Sequence, residues 1–285
     1  MEVQLGSCCA RDSDHDGNCP IHSSPGVFRQ KALQEIVSSE GAVMPITYGR
    51  MGNFLFQAAT AIAYALKHDM PYTMPFATNN PQGNPLYLQH LVREDFNPDL
   101  PQFLIQESGN PYQELPPPRL RVSNVILDGY WQTEKYFKEY RGAILQAFGF
   151  PWEPTKGTVS VHVRRGDYLR LPKKHPKVPK DWYERAMAEF PRSQFRFFSD
   201  DINWCMGAFG HRGDCFFSFN KTPEEDLIGM AECEHHICSA STFSWWGAWL
   251  NHNPNKRVVM PKLWLVPGWG GFDSKDVVPE EWERM

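Results

Sequence analysis

Residues 162–168 read His-Val-Arg-Arg-Gly-Asp-Tyr and close a β-branched run that begins at Thr158. Two arginines, a histidine and an aspartate at the tip of a strand form a ready anion site. A guanidinium presents forked donors that match phosphate oxygens and keeps its charge at any working pH, so Arg164 can carry a diphosphate without a metal. The plain alternative is a surface turn in which Arg164 or Arg165 pairs with Asp167. Arg165-Gly166-Asp167 also spells a cell-adhesion tripeptide, which is coincidental here.

Two further segments offer complementary chemistry. Phe195 to Ser199 is an apolar run followed by Asp200 and Asp201. Paired acids at a strand end suit a divalent cation bridging a diphosphate. One carboxylate can instead accept hydrogen bonds from guanine N1 and N2. Because the arginines already supply positive charge, the guanine reading is favoured, with a helix N-cap at Asp200 or Asp201 as the plain alternative. Ser239-Ala240-Ser241-Thr242-Phe243-Ser244-Trp245-Trp246 is a hydroxyl-rich turn running into a helical pattern. A helix N-terminus carries unpaired N–H groups and a partial positive charge, making Ser241 to Phe243 a second cradle for phosphate; simple capping by Ser241 or Thr242, with the aromatics as core, is the alternative.

The elements that must position these residues follow from the apolar pattern. Ala42 to Tyr48, the turn Gly49-Arg50-Met51-Gly52-Asn53 and the alanine-rich Phe54 to Leu66 predict strand, glycine turn and helix. Between Pro71 and Pro118 the chain is rich in Pro, Asn and Gln, which predicts long loops of the kind that shape a binding site. Asn124 to Leu127 predicts a strand, Glu134 to Phe148 an amphipathic segment, and Pro151 to Pro154 a linker. Beyond it, strands at Thr158–Val163, Phe195–Ser199, Cys215–Phe219 and His235–Ser239 alternate with helices at Asp181–Phe190, Asp201–Met206, Pro223–Ala231 and Phe243–Leu250. Thr222 and Glu225 supply a capping box. Such alternation predicts a parallel α/β sheet whose ligand lies beyond the strands' carboxyl ends.

Composition narrows the class. The 285 residues suit two modest α/β domains, and 29 basic against 33 acidic side chains give a net charge of −4, which excludes a global basic field for nucleic acid. No run of 18 apolar residues and no export signal stand in the sequence, so a soluble protein is expected, with peripheral membrane association left open. Seven cysteines without paired C-x-x-C spacing fit reduced thiols. Aromatic residues make up 14% of the chain; most are expected in the core and some as platforms for sugar rings. Residues 1–41 are polar and read as a mobile leader with a short helix. Within it, Asp12, Asp14, Asp16 and Gly17 open an EF-hand-like run, but Ser23 stands where the closing Glu is required, so no calcium site is assigned.

Gly49-Arg50-Met51-Gly52-Asn53, His162-Val163-Arg164-Arg165-Gly166-Asp167-Tyr168, Ser199-Asp200-Asp201 and Ser241-Thr242-Phe243-Ser244-Trp245-Trp246-Gly247-Ala248-Trp249-Leu250 resemble, in this order, the motifs of the α-1,2-fucosyltransferase family. The resemblance covers about residues 43 to 285. It implies a GT-B fold, with a Rossmann-like acceptor-side domain over 42–150 and a Rossmann-like GDP-fucose domain over 155–285, facing each other across a cleft. It also implies a GDP-L-fucose donor, inversion, no cofactor or metal, and a galactose-terminated glycan acceptor attacked through its 2-hydroxyl. By position, Arg164 resembles the diphosphate ligand, His162 and one of Asp200 or Asp201 the nucleoside ligands, Ser241, Thr242 and Phe243 the phosphate turn, and Asn53 a donor contact, with Arg165 beside them. Asp167, His162 and Glu225, in that order, are candidates for the base. A bacterial member would be cytoplasmic and a truncated eukaryotic one would belong in the Golgi lumen. A transferase of another GDP-sugar and a non-catalytic carbohydrate-binding protein are the remaining alternatives; the arginine motif speaks against the latter.

Overall fold

The computed structural model describes residues 40–75, 88–92, 96–109, 111–120, 122–149, 153–220, 222–271 and 273–285. Residues 1–39 of the expected leader, with its EF-hand-like run, and Pro151-Trp152 of the expected linker lie outside the described residues.

Two parallel sheets organise the chain. The first has the order β1-β3-β2, from β1 (Val43–Pro45), β2 (Gln102–Gln106) and β3 (Asn124–Asp128). The second has the order β6-β5-β4-β7-β8-β9, from β4 (Thr155–Val163), β5 (Gln194–Ser199), β6 (Cys215–Phe217), β7 (Cys233–Ile237), β8 (Val258–Met260) and β9 (Glu283–Arg284). Every pairing in both is parallel. This is the α/β architecture of two sheets that the GT-B expectation names.

Eight strands or helices were expected beyond the linker, and the structure contains each with small shifts of boundary. Helices α4 (Lys180–Ala188), α5 (Ile202–Phe209), α6 (Pro223–Ala231) and α7 (Thr242–Leu250) follow the apolar periodicity. The capping box is formed: Thr222 Oγ1 accepts from Glu225 N and Glu225 accepts from Thr222 N. Two differences have physical causes. Strand β2 lies inside the expected loop region because it is an edge strand with four of its five residues at least partly exposed, so its sequence shows no apolar alternation. The segment 134–148 is not one helix: two 3₁₀ turns precede α2 (Arg141–Phe148), and Phe137 leaves helical geometry at φ −144° to bury its ring against Trp246 at 5.5 Å. The arginine tip leads directly into a short helix, α3 (Gly166–Arg170).

The helix α1 (Met51–Lys67) joins the two sheets. All but three of its residues are buried, and its alanines let β1 on one side and α7 on the other approach closely. Phe56 of α1 meets Trp245 at 4.4 Å and Trp246 at 5.1 Å, while Trp249 meets Phe137 edge-on at 5.3 Å. The tryptophans of the Ser241–Leu250 motif are therefore core, and one continuous apolar cluster contains residues of both sheets. A second cluster lies between β4, β5 and helices α4 and α5.

Candidate functional site

A cavity of about 1140 Å³ lies beyond the carboxyl ends of β1, β3, β4, β5 and β7. Its walls come from both halves: Gly49 to Asn53, Tyr130 and Gln132 on one side, His162, Arg164, Asp167, Asp200, Asp226 and Ala240 to Phe243 on the other. Such a volume exceeds a drug-sized pocket and accommodates a nucleotide sugar.

Two helix N-termini meet in this cavity. The starts of α1 and α7 are in contact because Gly52 has no side chain: a Cβ there would stand 2.6 Å from Phe243 N and from Thr242. Neither helix has an acidic residue in its own first turn to offset the positive end of its dipole. Ser241 caps α7, its hydroxyl accepting from Phe243 N. Asn53 Oδ1 accepts from Thr242 Oγ1 at 3.1 Å and from Gln132 Nε2 at 2.9 Å, a polar tie between the halves. Among the sequence expectations, Asn53, Ser241, Thr242 and Phe243 are thus brought together around one anion-attracting point.

Arg164 stands beside it. Its guanidinium is mostly buried and held by two carboxylates, Asp167 Oδ1 at 2.7 Å and Asp200 Oδ2 at 3.2 Å. Burial on its own raises the Asp167 pKa, but the charges of Arg164 and Arg50 outweigh it and leave the carboxyl below its ordinary value. His162 is buried, lies 2.8 Å through Nδ1 from the Ser239 hydroxyl, and has its pKa pushed down to about 3 by burial and then by Arg164. It is neutral at physiological pH, and its two ring nitrogens serve as one donor and one acceptor. Tyr168 is pushed up to about 12 by burial and donates to the Ala240 carbonyl at 3.0 Å.

The adjacent acids diverge. Asp200 lines the cavity, with Oδ1 accepting from Arg165 N at 2.9 Å. Asp201 does not line it: it caps α5 by accepting from Trp204 N and pairs with Arg165 Nε at 3.0 Å. Arg165 also turns away, its guanidinium 4.1 Å over the Trp204 ring. Arg165 and Asp201 are therefore a clamp behind the cavity, because a strand end gives consecutive side chains opposite directions. Glu225 belongs to the capping box and does not line the cavity.

Sequence reasoning missed Asp226. It lines the cavity on the first turn of α6, with Oδ1 accepting from Ser218 at 3.1 Å, and burial raises its pKa. Its only signal was an acidic first turn, Glu224-Glu225-Asp226, which dipole stabilisation explains equally well. Among the described residues, no three His, Cys, Asp or Glu side chains group as metal ligands.

Residues 126–265 match the model of glycosyl transferase family 11, a span that runs from β3 through the arginine tip, the acids and α7. Over these residues, just under half of the chain, the sequence is similar to glycosyl transferase family 11. Its relatives include the O-antigen biosynthesis glycosyltransferase WbnK of Escherichia coli, 34% identical over 138 residues that cover 45% of this chain and 44% of that one. An α-1,2-colitosyltransferase of Escherichia coli is 31% identical over 179 residues, 55% of this chain and 61% of that one. The galactoside 2-α-L-fucosyltransferase Sec1 of Mus musculus is 31% identical over 138 residues, 40% and 38% of the two chains. The matched region thus spans about half the length of these relatives. Among solved structures, the NodZ α-1,6-fucosyltransferase soaked with GDP-fucose aligns with a TM-score of 0.47 at 13% identity, covering 80% of this chain and 97% of that one; so loose a likeness adds nothing to the architecture described above. Within the family 11 segment lie Arg164, His162, Asp200, Asp226 and Ser241 to Phe243, whereas Asn53 precedes it.

Proposed function

We propose that the chain transfers L-fucose from GDP-fucose to the 2-hydroxyl of a terminal galactose, with inversion at the anomeric carbon. The observation that carries this is Arg164, a forked cation fixed between Asp167 and Asp200 where the N-termini of α1 and α7 converge. That arrangement suits a diphosphate that gains charge as it leaves. The acceptor oxygen forms its bond to the anomeric carbon while the carbon–oxygen bond to the β-phosphate breaks; its electron pair goes to the phosphate oxygen and the acceptor proton is released. Preorganised donors that meet charge as it appears are the largest single source of catalysis in such transfers. Of the base candidates, His162 has too low a pKa, Asp167 is held by two arginines, and Glu225 is off the cavity. The reading therefore rests on leaving-group stabilisation.

Guanine recognition falls to Asp226 in this reading. Both oxygens of Asp200 are engaged by Arg164 and Arg165 N, whereas Asp226 is a half-buried carboxylate whose charge would be relieved by the N1–H and N2–H₂ donors of guanine. The arginine and the helix termini supply the positive charge that a metal would otherwise bring, so no cofactor is needed.

The identity of the α-1,2-colitosyltransferase relative favours a second reading, a donor of the same nucleotide carrying a different sugar. Incubation with lactose and a panel of GDP-fucose, GDP-colitose, GDP-mannose, UDP-galactose and CMP-sialic acid, with and without EDTA, separates them. GDP release and an α-1,2-fucosylated product from GDP-fucose, unchanged by EDTA, is the expected result. A product only from GDP-colitose would replace the donor, and turnover only with a non-guanine nucleotide would overturn both readings.

A further inference from the structure

Tyr130 and Gln132, which follow β3, line the cavity, and the backbone that presents them has an unusual conformation. Trp131 has φ +54°, a left-handed value that bulky side chains rarely adopt. Its indole is fully buried and meets Tyr136 edge-on at 5.3 Å, so the residue gains its packing at the expense of its backbone. Such a conformation persists only where the surroundings over-determine it.

Glu107, just past the end of β2, supplies that determination. Its Oε2 accepts from Tyr130 N at 2.7 Å and its Oε1 from Trp131 N at 3.1 Å, so one carboxylate chelates two consecutive amides. Glu107 N donates to Asp128 O at 2.9 Å, which continues the β2–β3 ladder into the turn. Gly129 permits the approach: a Cβ there would lie 2.4 Å from Glu107 Cβ. Burial opposes the Glu107 charge and the two amides favour it, with the balance a raised pKa. The neighbouring Asp128 accepts from the Tyr48 hydroxyl at 2.6 Å, and the Tyr48 and Tyr130 rings lie 5.8 Å apart. Gln132, at the other end of the turn, donates to Asn53.

We propose that Glu107 is a positioning residue of the acceptor side: by chelating the Tyr130 and Trp131 amides it fixes the turn 129–132, so that Tyr130 forms an aromatic wall for the acceptor sugar and Gln132 locks onto Asn53. The proposal rests on the transferase reading above. An amphipathic tyrosine ring, with an apolar face and a polar tip, suits a hexose in that place. Glu107 itself binds only the Tyr130 and Trp131 amides and no residue of the diphosphate cradle, so the acceptor KM is the parameter that moves most.

The test uses Glu107→Gln, Tyr130→Ala and the double variant, with GDP-fucose and lactose as substrates. Glutamine keeps one acceptor oxygen and loses the charge, so the acceptor KM rises about tenfold, the size expected from losing one charge-assisted hydrogen bond. The donor KM and the GDP affinity stay within twofold. Tyr130→Ala raises the acceptor KM similarly, and the double variant raises it no further. In parallel, hydrogen exchange of the Tyr130 and Trp131 amides speeds up at least tenfold in Glu107→Gln while the amides of α1 and α7 are unchanged. An unchanged acceptor KM in a folded Glu107→Gln protein overturns the proposal, as do donor and acceptor KM values that rise together. If Glu107→Gln does not fold, an unchanged acceptor KM in Tyr130→Ala overturns it equally. A wild-type protein that turned over no nucleotide sugar with any acceptor would overturn the transferase reading and the acceptor role with it, while the exchange result would still decide whether Glu107 fixes the turn.

Discussion

Replacing Arg164 by alanine separates its two tasks. Without nucleotide, its guanidinium neutralises Asp167 at 2.7 Å and Asp200 at 3.2 Å; with nucleotide, the same forked donors are available to the diphosphate. Removing it leaves two neighbouring carboxylates, 32% and 24% exposed, without their main counter-charge. Full burial would make that loss worth several kcal/mol, but solvent screening at these exposures reduces it to about 1–2 kcal/mol of stability. The nucleotide effect is larger. Loss of a preorganised charged donor to a developing anion costs ~3 kcal/mol, somewhat over a hundredfold in GDP affinity and turnover. Guanosine, which lacks phosphates, should lose less than threefold. Calorimetric titration of GDP, competition by guanosine and thermal unfolding of wild type, Arg164→Ala and Arg164→Lys give the three numbers. The lysine variant recovers stability because it keeps a charge near both acids, but recovers little GDP affinity because a point charge does not replace a fork. GDP affinity within threefold of wild type in a folded alanine variant, or an equal loss for guanosine, would refute the diphosphate assignment.

The other predictions are narrower. Asp226→Asn should cut the preference for GDP over ADP about ten- to hundredfold, measured by competition, with Asp200→Asn affecting it less; the reverse ranking returns guanine reading to Asp200. Arg165→Ala, which breaks the Asp201 pair and the stacking on Trp204, should lower stability by ~1 kcal/mol in urea unfolding and leave GDP affinity within threefold; a larger loss of affinity would put Arg165 back on the nucleotide. Lys256 is pushed down to about 7 by burial and then by Arg141, while its Nζ donates to the Asn251 carbonyl at 2.9 Å. Its folded pKa is below its unfolded one, so the unfolded chain binds more protons between about pH 7 and 10, and this group makes stability rise with pH there by at most ~1.4 kcal/mol per unit. The difference in unfolding free energy between wild type and Lys256→Met should therefore shift with that sign from pH 7 to pH 9; a pH-independent difference would rule the mechanism out.

The chemistry of the site was legible wherever a residue's type and local pattern were enough. Arg164 at the end of a β-branched run, the hydroxyl turn before α7 and the capping box at Thr222 all depend on neighbours within a few positions, and the structure contains each. Periodicity likewise announced the alternating strands and helices of the second sheet, because buried parallel strands and amphipathic helices write their burial into sequence. The order β6-β5-β4-β7-β8-β9 was not readable, since pairing between distant strands leaves no local trace. Neither was edge strand β2, whose exposed face removes the apolar signal. Tertiary packing alone decided which side of a strand end each acid takes, sending Asp200 to the cavity and Asp201 to a helix cap. It alone placed Asp226 there, brought α1 against α7 at Gly52, and drove Trp245 and Trp246 into the shared core. Glu107 shows the limit most plainly: in sequence it is an acid in a polar stretch, and only the meeting of β2 with the turn after β3 gives its carboxylate two amides to hold. Sequence carries the period and the chemistry of single residues; which groups converge is set by contacts between positions far apart in the chain.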